Sequence, residues 1–248
     1  MLMPLRIALQ FLTRLPVRVP HYSGDDLRES LYWYAAAGSV IGIALWLIWC
    51  LLTWLLPADA NAAVSALLLL AWVLLTGALH LDGLADSADA WLGGHGDRDK
   101  TLRIMKDPQS GPAGVVAVVL VLLVKFSLIL HLQQHHQFTY LLLVPVAARS
   151  LIPVLFRFTP YVRSEGLGKP FSEGLEESRI WPGILFAVVL GLLLAGFAWC
   201  WALLLAGGIF AGARTLMMQR LGGTTGDTAG ALIEVLECGL LLGCLWTI

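Results

Sequence analysis

Residues 77 to 91 read GALHLDGLADSADAW and follow directly on the apolar run AAVSALLLLAWVLLT at residues 62 to 76. A carboxylate at bilayer depth costs roughly 2.5 to 3.5 kcal/mol before any partner is counted, so three aspartates at the end of such a run need a use. On a helix advancing about 100° per residue, Asp86 lies about 40° from Asp82, and Asp89 about 20° to the other side, so all three share one stripe. Converging carboxylates are hard oxygen ligands suited to Mg²⁺, Mn²⁺ or Ca²⁺, and the histidine and thiolate pattern of a zinc site is missing. The competing reading is a polar helix end solvated by water. Gly83, Ala85, Ala88 and Ala90 leave room for a neighbouring helix or a bulky substrate. His80, two residues before Asp82, points away from the stripe, which suits packing or support of a ligand more than direct ligation.

A second acidic helix start lies in GGTTGDTAGALIEVLE, where Asp227 and Glu234 are seven residues apart and therefore aligned, with Glu237 more peripheral. Its glycine-rich approach to a helix presents backbone N–H groups and a positive dipole end, a setting that suits phosphate, although a plain tight turn satisfies the same pattern. No Walker GK[ST] follows. Arg103, Lys106, Arg163 and Lys169, on two polar connections, have the charge to neutralise a diphosphate; equally, such residues sit on cytoplasmic loops for topology alone.

These residues must be positioned by membrane helices. Of the 248 residues 58% are hydrophobic and only 13% charged, and the mean hydropathy is +0.78, which excludes a soluble domain. A spanning helix needs roughly 20 apolar residues. Seven runs approach this: Leu31 to Leu56, Ala62 to Leu79, Pro112 to Leu132, Phe138 to Phe156, Ile180 to Phe197, Trp199 to Met218, and about Asp227 to Ile248. Ahead of them, MLMPLRIALQFLTRLPVRVP reads as an interfacial amphipathic helix over residues 1–20 rather than a signal peptide, because it lacks a long apolar core and a small-residue cleavage site. The expected fold is an all-α polytopic membrane bundle of about seven helices, a single catalytic domain whose transmembrane part covers residues 31–248. Cys50, Cys200, Cys238 and Cys244 lie in apolar segments without CxxC spacing and read as inert thiols.

Loop charge orients the chain. Arg6, Arg14, Arg18 and Arg28 precede the first span, Arg98, Lys100, Arg103 and Lys106 follow the second, Arg157, Arg163, Lys169 and Arg179 follow the fourth, and Arg214 and Arg220 end the sixth. That is fourteen of the sixteen basic residues, and the alternate connections carry none, which places the N-terminus in the cytoplasm. The acidic stripe, EGLGKPF at 165 to 171 and GGTTGD at 222 to 227 then share the cytoplasmic face. Lys125 and Arg149 fall inside spans and need counter-ions, for which Glu234 and Glu237 are available.

Taken in order, HLDGLADSADA, IMKDPQSGPAG, YVRSEGLGKPF and LGGTTGDTAGALIEVLE, with FLTRLPV near the start, resemble the adenosylcobinamide-GDP ribazoletransferases, also called cobalamin synthases, from about residue 7 to about 238. The resemblance implies a bacterial inner-membrane, Mg²⁺-dependent transferase with one or two metal ions. It would join adenosylcobinamide-GDP to α-ribazole, or its 5′-phosphate, and release GMP. It implies roles for His80, Asp82, Asp86 and Asp89 from the first motif and for Thr225, Asp227 and Glu234 from the last; Glu165 of the EGLGKPF connection joins the substrate-binding candidates. Asp82, Asp86, Asp89 and Asp227 are the expected metal ligands and catalytic residues, with Asp89 or Asp227 as the base. Two other classes compete: a CDP-alcohol type phospholipid synthase, whose DGxxARx8GxxxDxxxD pattern is absent, and an ion- or proton-coupled transporter using the intramembrane Lys125, Arg149, Glu234 and Glu237. Expected partners are these small molecules and the lipid bilayer, with no nucleic acid; small-residue faces such as Gly191 to Gly196 leave room for a homo-oligomer.

Overall fold

Glycine marks the places where helices touch. In the computed structural model, which describes residues 2–163, 168–172 and 174–247, a Cβ at Gly38 would lie 2.5 Å from the Pro145 carbonyl oxygen, and one at Gly42 would lie 2.5 Å from that of Leu142. Only bare backbone lets α3 (Tyr34–Leu55) lie so close against α8 (Thr139–Ser150), and the order of the contacts makes the pair antiparallel. The same device joins α5 (Leu79–Gly94) to α12 (Gly226–Gly243), where Gly83 abuts Asp227 while Gly230 faces His80 at ordinary contact distance, and α12 to α11 (Trp199–Leu221), where Gly243 abuts Ala202.

The described residues are helical apart from turns, short 3₁₀ segments and one isolated β-bridge between Tyr161 and Thr224. Four stretches are long and apolar enough to cross a membrane: Tyr34–Leu55, Pro112–Gln134 (α7), Thr139–Phe158 (α8 with α9, Ile152–Phe158) and Glu177–Leu221. A fifth results if α4 (Asn61–Thr76) and α5 form one broken span. The expectation of seven differs at three places. The 45-residue stretch Glu177–Leu221 joins two expected spans, α10 (Trp181–Ala195) and α11. Its helix breaks at Gly196, whose φ of 66° suits glycine, and its contacts reverse there: Gly183 packs on Ala35, Trp199 stacks near Tyr140 at the far end of the α3–α8 pair, and Arg214 returns to Thr159. α12 carries three acids, Asp227, Glu234 and Glu237, which lower its apolar character.

The third difference concerns the opening motif. The span expected over Ala62 to Leu79 runs into the acidic stripe with no break in the sequence, yet α4 and α5 meet at 87°. Gly77 and Ala78 both adopt left-handed conformations, with φ of 65° and 56°, and the Arg14 side chain lies across Gly77 where any Cβ would collide with it. A left-handed pair ends the first helix and restarts the chain in a new direction, so α5 is laid along α12 instead of extending α4.

The N-terminal helix also differs. α1 runs only from Leu2 to Leu12, and Ile7, Ala8 and Leu12 are buried against the protein rather than turned to lipid. It packs on α2 (Gly24–Leu31), whose Ser23 caps the first turn in a reciprocal pair with Asp26. The four cysteines are free thiols, as expected.

Candidate active site

α5 and α12 run antiparallel, and at their closest point a Cβ on Gly83 would lie 2.6 Å from the Asp227 carbonyl oxygen. This contact sets Asp82 and Asp227 on facing walls of a cavity of about 310 Å³, with His80 a turn deeper. Asp86 follows Asp82 by one turn on α5 and lies within electrostatic reach of Asp82, Asp227 and Arg163. Three of the four expected acids are therefore brought together by two helices that are remote in sequence.

Asp89 is used differently. Its Oδ2 accepts the Gly111 N–H at 2.6 Å and its Oδ1 accepts the Gly114 N–H at 2.9 Å, so both oxygens cap the start of α7. A helix start exposes unpaired N–H groups and a positive dipole end, and Asp89 satisfies both from another helix. The equal standing of Asp82, Asp86 and Asp89 expected from their shared stripe is not what the fold produces. Among the described residues no group of three His, Cys, Asp or Glu side chains is placed to hold a metal by itself. Mg²⁺ makes a lighter demand, keeping waters and taking one or two carboxylates together with substrate phosphate oxygens. Asp82 and Asp86, on one face of α5 with Asp227 opposite, fit that demand.

The cation of the site arrives on a loop. The Val162 N–H donates to the Thr224 carbonyl at 3.0 Å and the Thr224 N–H donates to that of Pro160 at 2.8 Å, and Gly223 leaves the space this pairing needs. Two residues after the Tyr161–Thr224 bridge, Arg163 places Nη2 2.5 Å from Asp227 Oδ2 and donates to the Met105 carbonyl at 3.3 Å. Tyr161, half-buried, lines the same mouth. Burial holds its phenol above the ordinary range, so near neutral pH it is a hydrogen-bond donor.

The remaining expected residues separate. Thr225 is fully buried as the cap of α12, accepting from Thr228 N–H and touching the Met105 sulfur. Glu234 lies two turns below Asp227, bound to Lys125 Nζ at 2.7 Å, outside the cavity lining. Arg103 and Lys106 are exposed on or just beyond α6 (Arg98–Ile104), also outside the lining. Lys169 is exposed beside Gly168, which does line the cavity. Glu165 lies outside the described residues. Tyr34 and Phe156 also line the cavity and lie in apolar runs whose periodicity does not tell them from lipid-facing or core positions; Phe11 and Phe171, further lining residues, lie in the FLTRLPV and EGLGKPF segments without standing out there as site candidates.

Below the cavity lies a four-charge network. Lys125 pairs with Glu234 and, at 2.6 Å, with Glu237; Glu237 also pairs with Arg149 at 2.7 Å. Lys125 sits over the Trp72 ring at 4.8 Å. The pairing expected for the two intramembrane cations is thus present.

The sequence model of the cobalamin-5-phosphate synthase family matches residues 4–245. A protein of Stutzerimonas stutzeri (strain A1501) named adenosylcobinamide-GDP ribazoletransferase is 51% identical over 243 residues, covering 98% of this chain and 97% of its own. One of the same name from Ectopseudomonas mendocina (strain ymp) is 50% identical over 238 residues, 96% of each chain. No solved structure matches. With nearly its whole length aligned, the site helices α5 and α12 included, the chain belongs to the cobalamin-5-phosphate synthase family.

Proposed function

We propose that the chain is an adenosylcobinamide-GDP ribazoletransferase, joining adenosylcobinamide-GDP to α-ribazole or its 5′-phosphate with release of GMP in the assembly of the cobalamin nucleotide loop. The observation that carries this is a cavity with Asp82, Arg163 and Asp227 at its mouth, in a chain half identical along its length to proteins of that name. The phospholipid-synthase and transporter alternatives give way to that family membership.

The reaction is a displacement at phosphorus. The ribose 3′-hydroxyl oxygen bonds to the phosphorus nearer cobinamide, the bond from that phosphorus to the bridging oxygen breaks, and GMP leaves with the electron pair. Arg163 and Tyr161 donate hydrogen bonds to the phosphates at the mouth. Asp227 takes the hydroxyl proton; Asp89, capping α7, is not available for it. Arg163 pairs with Asp227, and an arriving diphosphate competes for that guanidinium and frees the carboxylate. Asp82 and Asp86 would hold Mg²⁺, with Mn²⁺ as a substitute, and the ion would offset charge on the diphosphate and the leaving oxygen.

The chain is further proposed to cross a bacterial inner membrane seven times with its N-terminus and site in the cytoplasm. Loop charge supports the orientation, and the reversal at Gly196 supports counting α10 and α11 separately. The test is incubation of purified protein with adenosylcobinamide-GDP, α-ribazole and Mg²⁺. GMP release is expected, lost on chelation and in Asp82→Ala without change in melting temperature; no GMP under any divalent metal overturns the reading.

A further inference from the structure

His80 is 3% exposed, and both of its ring nitrogens lack a hydrogen-bond partner. An unpaired buried polar group costs about 1–3 kcal/mol, so a side chain kept this way needs a partner that arrives later. His80 lines the cavity about one turn deeper than Asp227, on the stretch of α5 that Gly230 of α12 faces. At that depth the walls change character. The mouth is ionic, with Asp82, Arg163 and Asp227, whereas the interior is Tyr34, Ile152, Phe156, Phe171 and Ile233.

We propose that this cavity seats the nucleoside acceptor base-first, with His80 hydrogen-bonding the polar edge of its azole ring; the inference rests on the ribazoletransferase reading. An azole nucleoside has one flat, weakly polar end and one hydroxyl-rich end. Aromatic and aliphatic walls suit the base, and its ribose then lies level with Asp82 and Asp227, where the 3′-hydroxyl meets the donor phosphate. A volume of about 310 Å³ matches a nucleoside. A corrinoid carrying GDP is several times larger and lies across the mouth, with only its diphosphate reaching the acids. His80 is then a specificity residue for the acceptor alone, and the two substrates enter by different surfaces.

The experiment uses the full chain in detergent or nanodiscs. α-Ribazole is titrated calorimetrically without donor, and KM is measured separately for each substrate. His80→Ala is expected to weaken α-ribazole binding and raise its KM about tenfold, the loss of one hydrogen bond, with the donor KM within about twofold. His80→Gln, which keeps a donor and an acceptor, recovers part of the loss, and Ile233→Trp, which fills the interior, abolishes α-ribazole binding. Equal rises in both KM values, no rise in His80→Ala, or unchanged binding in a folded Ile233→Trp overturn the proposal. Wild-type protein that binds α-ribazole yet releases no GMP would instead overturn the assigned reaction.

Discussion

Asp89 closes the start of α7 by accepting the Gly111 N–H at 2.6 Å, with the Gly114 N–H on its second oxygen. Asp89→Ala should therefore lower stability by about 0.5–2 kcal/mol, the range for a lost helix cap. Asp89→Asn keeps one acceptor oxygen and should retain most GMP release. Thermal unfolding and turnover measured side by side check this; an Asn variant that melts normally but is inactive would return Asp89 to the chemistry.

The backbone contact between Gly83 and Asp227 holds the two acidic helices in register. Gly83→Ala inserts a methyl group where there is no room and should cost about 1–3 kcal/mol of overpacking. As α12 is pushed away from α5, turnover should fall by more than the stability loss explains. Gly207→Ala is the control, since a Cβ at Gly207 meets nothing within 4 Å. Equal turnover in both variants would show that the acids tolerate a wider gap.

Glu237 binds Lys125 and Arg149 at once, and all three side chains are buried. Lys125→Met leaves Glu234 without its ion-pair partner and Glu237 with Arg149 alone, and should cost about 3–5 kcal/mol. Adding Glu234→Gln removes the surplus negative charge and should recover part of that loss, because Arg149 and Glu237 remain a neutral pair. Melting of Lys125→Met, Glu234→Gln and the double variant in detergent decides the matter: simple additivity would mean that the network is not coupled.

Reporters test the direction of the chain. Fusions at Gly96 are expected in the cytoplasm and fusions at Gln134 outside, following the loop charges. A fusion at Gly196 separates one crossing from two over Glu177–Leu221, and an external signal there is expected from the reversal of contacts. A cytoplasmic signal at Gln134 would invert the topology.

Much of the molecule was readable from the chain alone. Composition pointed to helices long and apolar enough to cross a membrane, and the structure contains such helices. Periodicity placed Asp82 and Asp86 on one face, because i,i+4 spacing on a helix follows from backbone geometry. Buried charge called for counter-ions to Lys125 and Arg149, for which the sequence offered Glu234 and Glu237, because an unpaired buried cation carries a large desolvation cost. Only the tertiary structure decided the rest. Asp89 occupies the same stripe as Asp82, yet the neighbouring start of α7 claims it. Thr225 and Glu234 belong to the Asp227 motif, yet one is spent on a cap and the other on a cation. The bend at Gly77 and Ala78 turned an apparent span end into a helix laid along α12, and the loop pairing of Tyr161 with Thr224 carried Arg163 to Asp227. These outcomes depend on which backbone groups lie across the gap, and a helical pattern records the direction in which a side chain points but not what waits there.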